Sequence, residues 1–400
     1  MPRYKYQGRD TKGKKSGTVA APSKQEAVSK LKESGIRVTQ VDEVPETLLT
    51  KDLSIGNPVK LQDFTIFLRQ FATLIKAGVT IVDSMSILAS QTSSKALKRT
   101  LFEVELDLRE GISLSAATSK HKKVFSTLFV NMVRVGEVGG TLDETLERLA
   151  VHFEKQHKTR QKIKSAMAYP AVIGVVAIAV VIFLLVSVVP TFVGMFADFG
   201  ADLPAITKFV LGASEVMQAY WWVVILFFIL FYLAIVLVKA RKESKYYWDY
   251  MILRSPIFGK LLQKAALARM TRTLSSLLTS SVPILQALAV VESIVENEVI
   301  SRVVKDSRTS LEKGRSMTEP MKKHWVFPPL ITQMIAIGEN TGSLDEMLGK
   351  VATFYEDEVE NATDQLKSLI EPLMIVFLAG IVGTIVTSIM VPMFDIFNQI

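Results

Sequence analysis

Three stretches of the chain contain no charged residue and are long enough to cross a membrane. They cover residues 165–197, 216–238 and 372–394 and are rich in Val, Ile, Leu and Phe. A helix needs about 20 apolar residues to cross the hydrocarbon core, and runs of this length favour a membrane span over a buried core helix. The aromatic residues at 220–222 are typical of an anchor at headgroup level. The pattern therefore predicts three transmembrane helices.

Basic residues on the flanks of the first two spans predict how the chain is oriented. Five lysines and arginines lie in residues 155–164 and four in 239–245, whereas residues 194–219 carry one lysine against three acidic residues. Positively charged flanks remain in the cytoplasm. We therefore expect the N-terminus inside, residues 194–219 outside and the C-terminus outside. The third span takes its direction from the number of spans.

Outside the spans, apolar residues recur at the spacing of amphipathic helices. From Leu61 to Ile75 they lie three and four positions apart, and Gly78 ends this helix. Thr80 is placed to cap the next helix together with Asp83. Because no strand pattern occurs in this region, the sequence predicts a bundle of several antiparallel helices.

The first 44 residues form a separate small module. Short β-like stretches surround Tyr4 and Tyr6, and a capping box at residues 23–26 opens a helix that Gly35 stops. We predict the order β-β-α-β, followed by a linker.

The chain repeats itself at a fixed offset, and such a repeat dictates the architecture. Residues 136–146 and 338–348 share the pattern Gly-Glu-x-x-Gly-[Thr/Ser]-Leu-Asp-Glu-x-Leu, an offset of 202 from residue 136 to residue 338. Upstream of residue 124 the offset is 203. Each copy runs into an apolar span, so residues 61–165 and 262–367 are predicted to fold as superimposable bundles.

Within the repeated motif, Gly136 and Gly140 bracket a turn, and Thr141 and Ser343 each open a capping box with a glutamate three residues later. The following helix should run towards the membrane, where a proline should kink or restart it. Acidic residues crowd the turn, which argues against a phosphate site. We assign the motif a structural or partner-contact role. The residues concerned are Gly136, Glu137, Gly140, Leu142, Asp143, Gly338, Glu339, Gly342, Leu344 and Asp345, with Pro170 and Pro372 at the span entries.

These patterns predict a mainly α membrane protein with two homologous cytoplasmic helical bundles. The predicted segments are 1–44, an α+β module; 45–60, a linker; 61–169, the first bundle; 170–194, the first span; 195–219, an external loop; 220–238, the second span; 239–371, the second bundle; 372–394, the third span; and 395–400, an external tail.

Composition narrows the function classes. A mean hydropathy of +0.30 with 22% charged residues is typical of soluble domains joined to a few spans. The absence of cysteine excludes a disulfide framework and a cysteine nucleophile. The formal charge of +8 is explained by the flanks of the spans rather than by nucleic-acid binding. The N-terminus lacks the apolar core of a cleavable signal peptide.

Two segments resemble chemical sites and are discounted. Residues 8–15 nearly spell a P-loop, but Lys15 stands where Mg²⁺ requires Ser or Thr, so a hairpin turn is favoured. The acidic residues Glu356, Asp357, Glu358 and Glu360 are read as a solvated face or a docking surface for a basic partner, in preference to a cation site. We predict no catalytic, cofactor-binding or metal site.

With these motifs, the whole chain resembles the type II secretion F / type IV pilus C family of bacterial inner-membrane platform proteins. The resemblance rests on the N-terminal Tyr4-x-Tyr6-x-Gly8 module, the segment from Leu68 to Gly78, both copies of the repeated motif and the two span-entry prolines.

The resemblance implies a non-enzymatic scaffold at the base of a pilus or pseudopilus. It would couple a cytoplasmic hexameric ATPase to the extraction and polymerisation of pilin or pseudopilin subunits. It also implies six-helix cytoplasmic bundles, other inner-membrane assembly proteins as partners, contact with membrane lipid, and a homo-oligomer, most simply a dimer. Neither a cofactor nor direct nucleic-acid binding is implied.

Two other function classes remain open from the residues alone. A transporter or channel subunit would carry charged or pore-lining polar residues in its spans, and charged ones are missing here. A membrane-tethered enzyme would hydrolyse ATP as the purified chain. The sequence also leaves open whether the machine is a pilus, a secretion system or a competence pseudopilus for DNA uptake.

Overall fold

A computed structural model divides the chain into two compact units, residues 1–58 and 59–400. The residues it describes are 3–10, 13–20, 28, 31–32, 35–43, 58–198, 204–256 and 258–397.

The small N-terminal unit contains a three-stranded antiparallel sheet in the order β2-β1-β3. The strands are β1 Arg3–Asp10, β2 Gly13–Ala20 and β3 Arg37–Glu43. Gly8 pairs opposite Lys15 and Asp10 opposite Gly13, which confirms the hairpin interpretation of the segment that resembles a P-loop. The capping box at residues 23–26 lies outside the described residues.

The larger unit holds two copies of the same helix order. The first copy consists of α1 Leu61–Lys76, α2 Ile81–Gln91, α3 Lys95–Arg109, α4 Leu114–Ser119, α5 Thr127–Gly139 and α6 Leu142–Phe183. Three helices follow, α7 Val189–Asp198, α8 Ala205–Ala240 and α9 Lys242–Leu253. The second copy consists of α10 Phe258–Thr279, α11 Ile284–Ile294, α12 Glu298–Glu312, α13 Thr318–Lys322, α14 Pro329–Thr341 and α15 Leu344–Phe397. The predicted pair of six-helix bundles is confirmed.

The apolar stripe of α1 forms the centre of the first bundle, as its spacing predicts. Phe64 and Phe71 are buried, and the ring of Phe64 packs edge-on against Phe125, Phe129 and Phe153 at centroid distances of 6.0, 6.0 and 5.0 Å. Burial of each such side chain contributes about 1.5–3 kcal/mol to folding. The predicted cap of α2 is also present, since the Asp83 N–H donates to Thr80 Oγ1 at 3.1 Å.

Among the residues that the structure describes, three helices are long and apolar enough to cross a membrane, which confirms the predicted spans. They lie within Leu142–Gly194, Ala205–Val238 and Leu344–Pro392. The helix α6 is continuous through Pro170, and α15 is continuous through Pro372, so the predicted restart of the helix is wrong. Proline fixes φ near the helical value and removes only one backbone N–H, a loss that membrane helices tolerate.

The helix that contains the second span begins earlier than hydropathy suggests. The helix α8 starts at Ala205, within the residues 195–219 that the sequence assigns to an external loop. Polar residues such as Thr207 and Ser214 lower the hydropathy of its first turns, yet both are buried in the structure. Only Tyr220, with φ −118° and ψ 16°, departs from helical geometry along α8.

The two copies use left-handed backbone at equivalent positions after their helices. Gly111 and Gly314 have φ of 85° and 69°, whereas Gly78 at 83° corresponds to Ser281 at 59°. A side chain in this conformation costs on the order of 1–2 kcal/mol because Cβ approaches the backbone, and glycine avoids that cost.

We expect Ser281→Gly to stabilise the protein by about 1 kcal/mol, because Ser281 is an exposed residue whose left-handed backbone is strained. Thermal unfolding of the detergent-purified protein should show a raised Tm. The mirror change Gly78→Ser should lower it by a similar amount. An unchanged or lower Tm for Ser281→Gly would contradict the strain argument.

Candidate functional site

The repeated motif forms a tight corner between two helices in each copy; we call residues 136–146 and 338–348 the corners. Gly140 and Gly342 end α5 and α14 in the left-handed conformation, with φ of 68° and 72°. Gly136 and Gly338 lie in the last turns of these helices. A Cβ added to Gly338 would meet Leu344 Cα at 2.7 Å. The glycines are therefore required because the two helix backbones almost touch.

The glutamate of each motif caps a third helix. Glu137 accepts hydrogen bonds from the N–H groups of Leu114 at 2.6 Å and Ser115 at 3.1 Å. Glu339 accepts from the Met317 N–H at 3.1 Å and the Ser316 hydroxyl at 2.6 Å. The first N–H groups of a helix have no partner within it, so a carboxylate supplied by the corner fixes α4 and α13 to it. This role could not be seen in the local sequence.

The predicted capping box at Thr141 is wrong. Its backbone has φ −112° and ψ 40°, and its side chain makes no capping hydrogen bond. A capping residue normally has extended backbone, which directs its oxygen to the amides two and three residues later. The Thr141 N–H instead donates to the Gly136 carbonyl at 2.9 Å, which closes the left-handed end of α5. In the second copy, the hydroxyl of Ser343 lies 2.6 Å from Thr341 Oγ1.

The remaining motif residues divide into buried and exposed positions. Leu344 is buried and Leu142 is partly buried, so both anchor the start of a long helix. Asp143 and Asp345 lie in the first turn of their helices, where a negative charge is favoured by the helix dipole. Val138 in the first corner is 87% exposed.

An arginine–glutamate pair that the sequence reading missed joins the first and last helix of each copy. Arg69 Nε and Nη2 donate to Glu154 at 2.6 and 2.7 Å, and Arg272 Nε and Nη2 donate to Glu356 at 2.7 and 2.7 Å. The Arg69 guanidinium holds the pKa of Glu154 below its usual range. Arg69 also binds Glu147. Aligning the two copies at their offsets would have revealed this pairing.

The long helices α6 and α15 lie side by side as they approach the membrane; we call residues 155–174 and 356–374 the seam. Gly174 allows close contact there, with the Met374 methyl carbon 3.8 Å from where its Cβ would lie. Ile163 packs against the buried cluster of Leu261, Val359 and Leu366. The polar seam contacts are Lys155 Nζ to Glu356 at 3.4 Å, Lys162 to Glu360, and Tyr169 Oη to Glu371 at 3.5 Å.

Three carboxylates of the acidic run in the second copy are paired with basic residues of the same chain. Glu356 binds Arg272 and Lys155, Glu358 accepts from Lys264 at 2.6 Å, and Glu360 pairs with Lys162. The interpretation of this run as a solvated face or docking surface is therefore corrected for Glu356 and Glu358, whereas Glu360 is exposed. The reason is that α15 lies beside two basic helices, a fact that only the tertiary structure supplies.

A cavity of about 180 Å³ lies between the two copies where α6 and α10 meet. One wall is His152, which is buried and lies with Nδ1 3.4 Å from Ser276 Oγ. Burial, with a smaller contribution from the Arg272 charge, lowers the pKa of His152 to about 4 from its ordinary 6.5. The imidazole is therefore neutral in the folded protein at neutral pH.

Acidification should destabilise the protein through His152. Because its folded-state pKa is below the unfolded value, the stability it contributes is complete above about pH 6.5 and is lost as pH falls towards 4. Over that window the loss is on the order of 2–4 kcal/mol. Melting curves from pH 7 to pH 5 should show a shallower decline for His152→Gln. The control His157→Gln, a partly exposed residue of the same helix, should decline like the wild type; equal slopes for all three proteins would contradict the assignment.

The far ends of the three spans are joined by buried polar contacts. The first span contains one π-helical turn at Leu184–Val188, a geometry that disturbs the regular backbone hydrogen bonds. The Ser214 hydroxyl of α8 donates to the Leu185 carbonyl, and the Thr207 hydroxyl donates to the Ser388 carbonyl at 2.7 Å. Since each bond connects two different helices, the spans form one packed group at this end.

Comparisons with known proteins agree with this architecture. The family model "Type II secretion system (T2SS), protein F" matches residues 67–190 and 270–392, and the model of that protein's N-terminal domain matches residues 1–42. The type IV pilus assembly protein PilC of Thermus thermophilus is 38% identical over 100% of this chain and 99% of its own length. PilC of Myxococcus xanthus is 36% identical, over 96% and 93%. Type II secretion system protein F of Vibrio cholerae is 30% identical, over 100% and 99%. With two family matches that coincide with the two structural copies, the chain belongs to the type II secretion system protein F family.

Proposed function

We propose that this chain is an inner-membrane platform protein that couples a cytoplasmic assembly ATPase to the extraction and polymerisation of pilin or pseudopilin subunits. Relatives named for type IV pilus assembly and for type II secretion support a role in one of these machines. Identities of 38% and 36% to the pilus proteins, against 30% to the secretion protein, favour the pilus.

The observation that carries the coupling proposal is the continuity of α6 and α15. Each helix begins at a corner and extends without interruption into a span, over 42 and 54 residues. At 1.5 Å per residue, α6 is about 60 Å long. A displacement at the corner end therefore has a stiff path to the membrane, and the seam makes the two paths move together.

The first corner is our candidate contact with the ATPase. It presents the exposed Val138 beside the acidic residues Asp143 and Glu144, whereas the second corner has Asn340 at the position of Val138. A single exposed apolar side chain is common on protein surfaces, so the candidacy rests on the difference between the two corners at this position. The spans would contact the apolar tails of pilins, other assembly proteins would contact the remaining faces, and the protein would act as a homo-oligomer.

The proposed topology places the two bundles in the cytoplasm and Ala205 outside. Exposed positions serve as single-cysteine probes in this cysteine-free chain. We expect an impermeant thiol reagent to label Ala205→Cys in intact cells, because acidic loops are translocated and basic flanks are not. Ser90→Cys and Gln286→Cys should react only after lysis. Labelling of either bundle position in intact cells would overturn the topology.

The experiment that tests the function is deletion and complementation, combined with an assay for nucleotide hydrolysis. Loss of the chain should stop fibre assembly or secretion while the subunit and the ATPase remain at normal levels, and the wild-type chain should restore it. The purified chain alone should hydrolyse no ATP. Normal assembly without the chain would exclude the platform role, and hydrolysis by the pure protein would favour a membrane-tethered enzyme.

A further inference from the structure

The helix α9 follows directly from the second span and has two different faces. The chain leaves α8 at Ala240, turns at Arg241 with extended backbone (φ −102°, ψ 126°), and enters α9. The chain therefore changes direction at the end of a membrane span. What α9 contacts on each face decides what it does.

One face of α9 is fixed to the second bundle by aromatic and cationic contacts. Arg302 lies 4.2 Å from the centroid of the Tyr246 ring, and Arg254 lies 4.7 Å from the Trp325 ring. Tyr250 packs edge-on against Trp325 at 5.7 Å. These contacts hold the helix in place, so its other face is presented in a fixed orientation.

The other face carries large apolar side chains that nothing in the described part of the chain covers. Tyr247 is 72% exposed and Met251, one turn later, is 66% exposed. At the start of α10, Phe258 and Leu262 are each 41% exposed. We call α9 and the first turns of α10 the elbow, and these four exposed side chains, two on each helix, the elbow surface.

Both ends of the elbow lie close to the membrane. Its N-terminal end is joined to the second span. Its C-terminal end is located by Leu261, which packs against Leu366 and Val359 of α15. Leu366 precedes Pro372, the entry of the third span, by fewer than two helical turns. The elbow therefore begins at the end of one span, and its contacts with α15 lie about 9 and 20 Å before the entry of the third span.

The charges around the elbow complement an anionic bilayer. Residues 239–260 hold six lysines and arginines against two acidic residues, and the carboxylate of Asp249 is used by the Glu298 N–H at 2.8 Å. Clusters of basic residues next to a span attract anionic lipid headgroups, and exposed aromatic and Met side chains insert at the acyl boundary.

We propose that the elbow surface is a lipid-binding face that inserts Tyr247 and Met251 into the headgroup region and binds anionic lipid. It would hold the second bundle close to the bilayer surface. The proposal rests on the membrane location of the spans and not on the pilus function, and it can fail without affecting the latter.

The test uses the full chain with single cysteines in nanodiscs. Tyr247→Cys and Met251→Cys are labelled with an environment-sensitive fluorophore, and the bilayer is phosphatidylcholine with about 30% phosphatidylglycerol. Part of the lipid carries a spin-label quencher near the headgroup. We expect at least about twofold stronger quenching at both positions than at Ser90→Cys, and weaker quenching when phosphatidylglycerol is replaced by phosphatidylcholine.

A double variant gives an independent measurement. With the fluorophore on Phe258→Cys, Tyr247→Glu/Met251→Glu should reduce quenching by lipid while leaving Tm unchanged, since both side chains point away from the bundle. Quenching at 247 and 251 no stronger than at Ser90 would overturn the proposal. Emission shielded from water without lipid quenching would also overturn it, since it would indicate a second copy of the chain on this surface.

Discussion

Insertion of a flexible Gly-Ser-Gly-Ser segment after Lys164 is expected to abolish fibre assembly while the ATPase still binds. The site lies within the seam, between the Lys162–Glu360 pair and the Tyr169–Glu371 contact. Glycine and serine weaken the helix, so α6 would no longer transmit torque or tilt. If the insert stayed helical, four residues would still rotate the span by about 40° and shift it by about 6 Å.

The contacts that hold the two bundles together precede the insertion, so folding should survive. Lys155 and Glu356 remain paired, as do the corner contacts of Glu137. The matched control places the same tetrapeptide after the exposed Ser93, in the loop between α2 and α3. That protein should assemble fibres normally. Normal assembly by the Lys164 insertion, with ATPase bound, would show that α6 does not carry the coupling.

Replacement of Glu356 by glutamine is expected to destabilise the protein strongly. This carboxylate is shared by Arg272 of its own copy and Lys155 of the other, and it is largely buried. Its loss leaves two cations without their partner beside the neutral His152. Removal of one partner from such a pair costs about 2–4 kcal/mol, and the seam loses one of its polar contacts.

The repeat supplies the control for this experiment. Glu154→Gln removes the equivalent carboxylate of the first copy, but Arg69 keeps Glu147 as a second partner, so its cost should be smaller. Thermal unfolding in detergent should therefore rank the wild type above Glu154→Gln and Glu154→Gln above Glu356→Gln. If the two variants melt together, the shared role of Glu356 across the two copies is wrong.

The features that the sequence predicts well are those encoded by local patterns. Apolar runs locate three spans, the three-and-four spacing of α1 gives its buried face, and the offset between residues 136 and 338 gives the two bundles. Gly140 and Gly342 also stand out, because left-handed backbone strongly prefers glycine. Apart from the repeat, each of these signals depends on residues that are close together in sequence.

What the sequence does not predict depends on residues that are distant along the chain. The partners of Arg69 and Arg272 lie on another helix, and the partners of Glu356 lie in both copies. Glu137 caps a helix that precedes it. Thr141 has the side chain of a capping residue, but its backbone closes the end of the preceding helix instead. Tertiary packing overrides the local signal in each case.

We propose that movement of the first bundle, on which the ATPase would act, reaches the far end of the spans through the seam. A bifunctional fluorophore across Ala205→Cys and Phe209→Cys, both exposed at that end, reports its orientation in a nanodisc by polarised fluorescence. A second protein carries the fluorophore across Ser86→Cys and Ser90→Cys in the first bundle. With ATPase and ATP present, both orientations should change in the wild type, whereas the Lys164 insertion should leave only the bundle probe moving. A far end that stays still in the wild type during ATP turnover and fibre assembly would contradict the account.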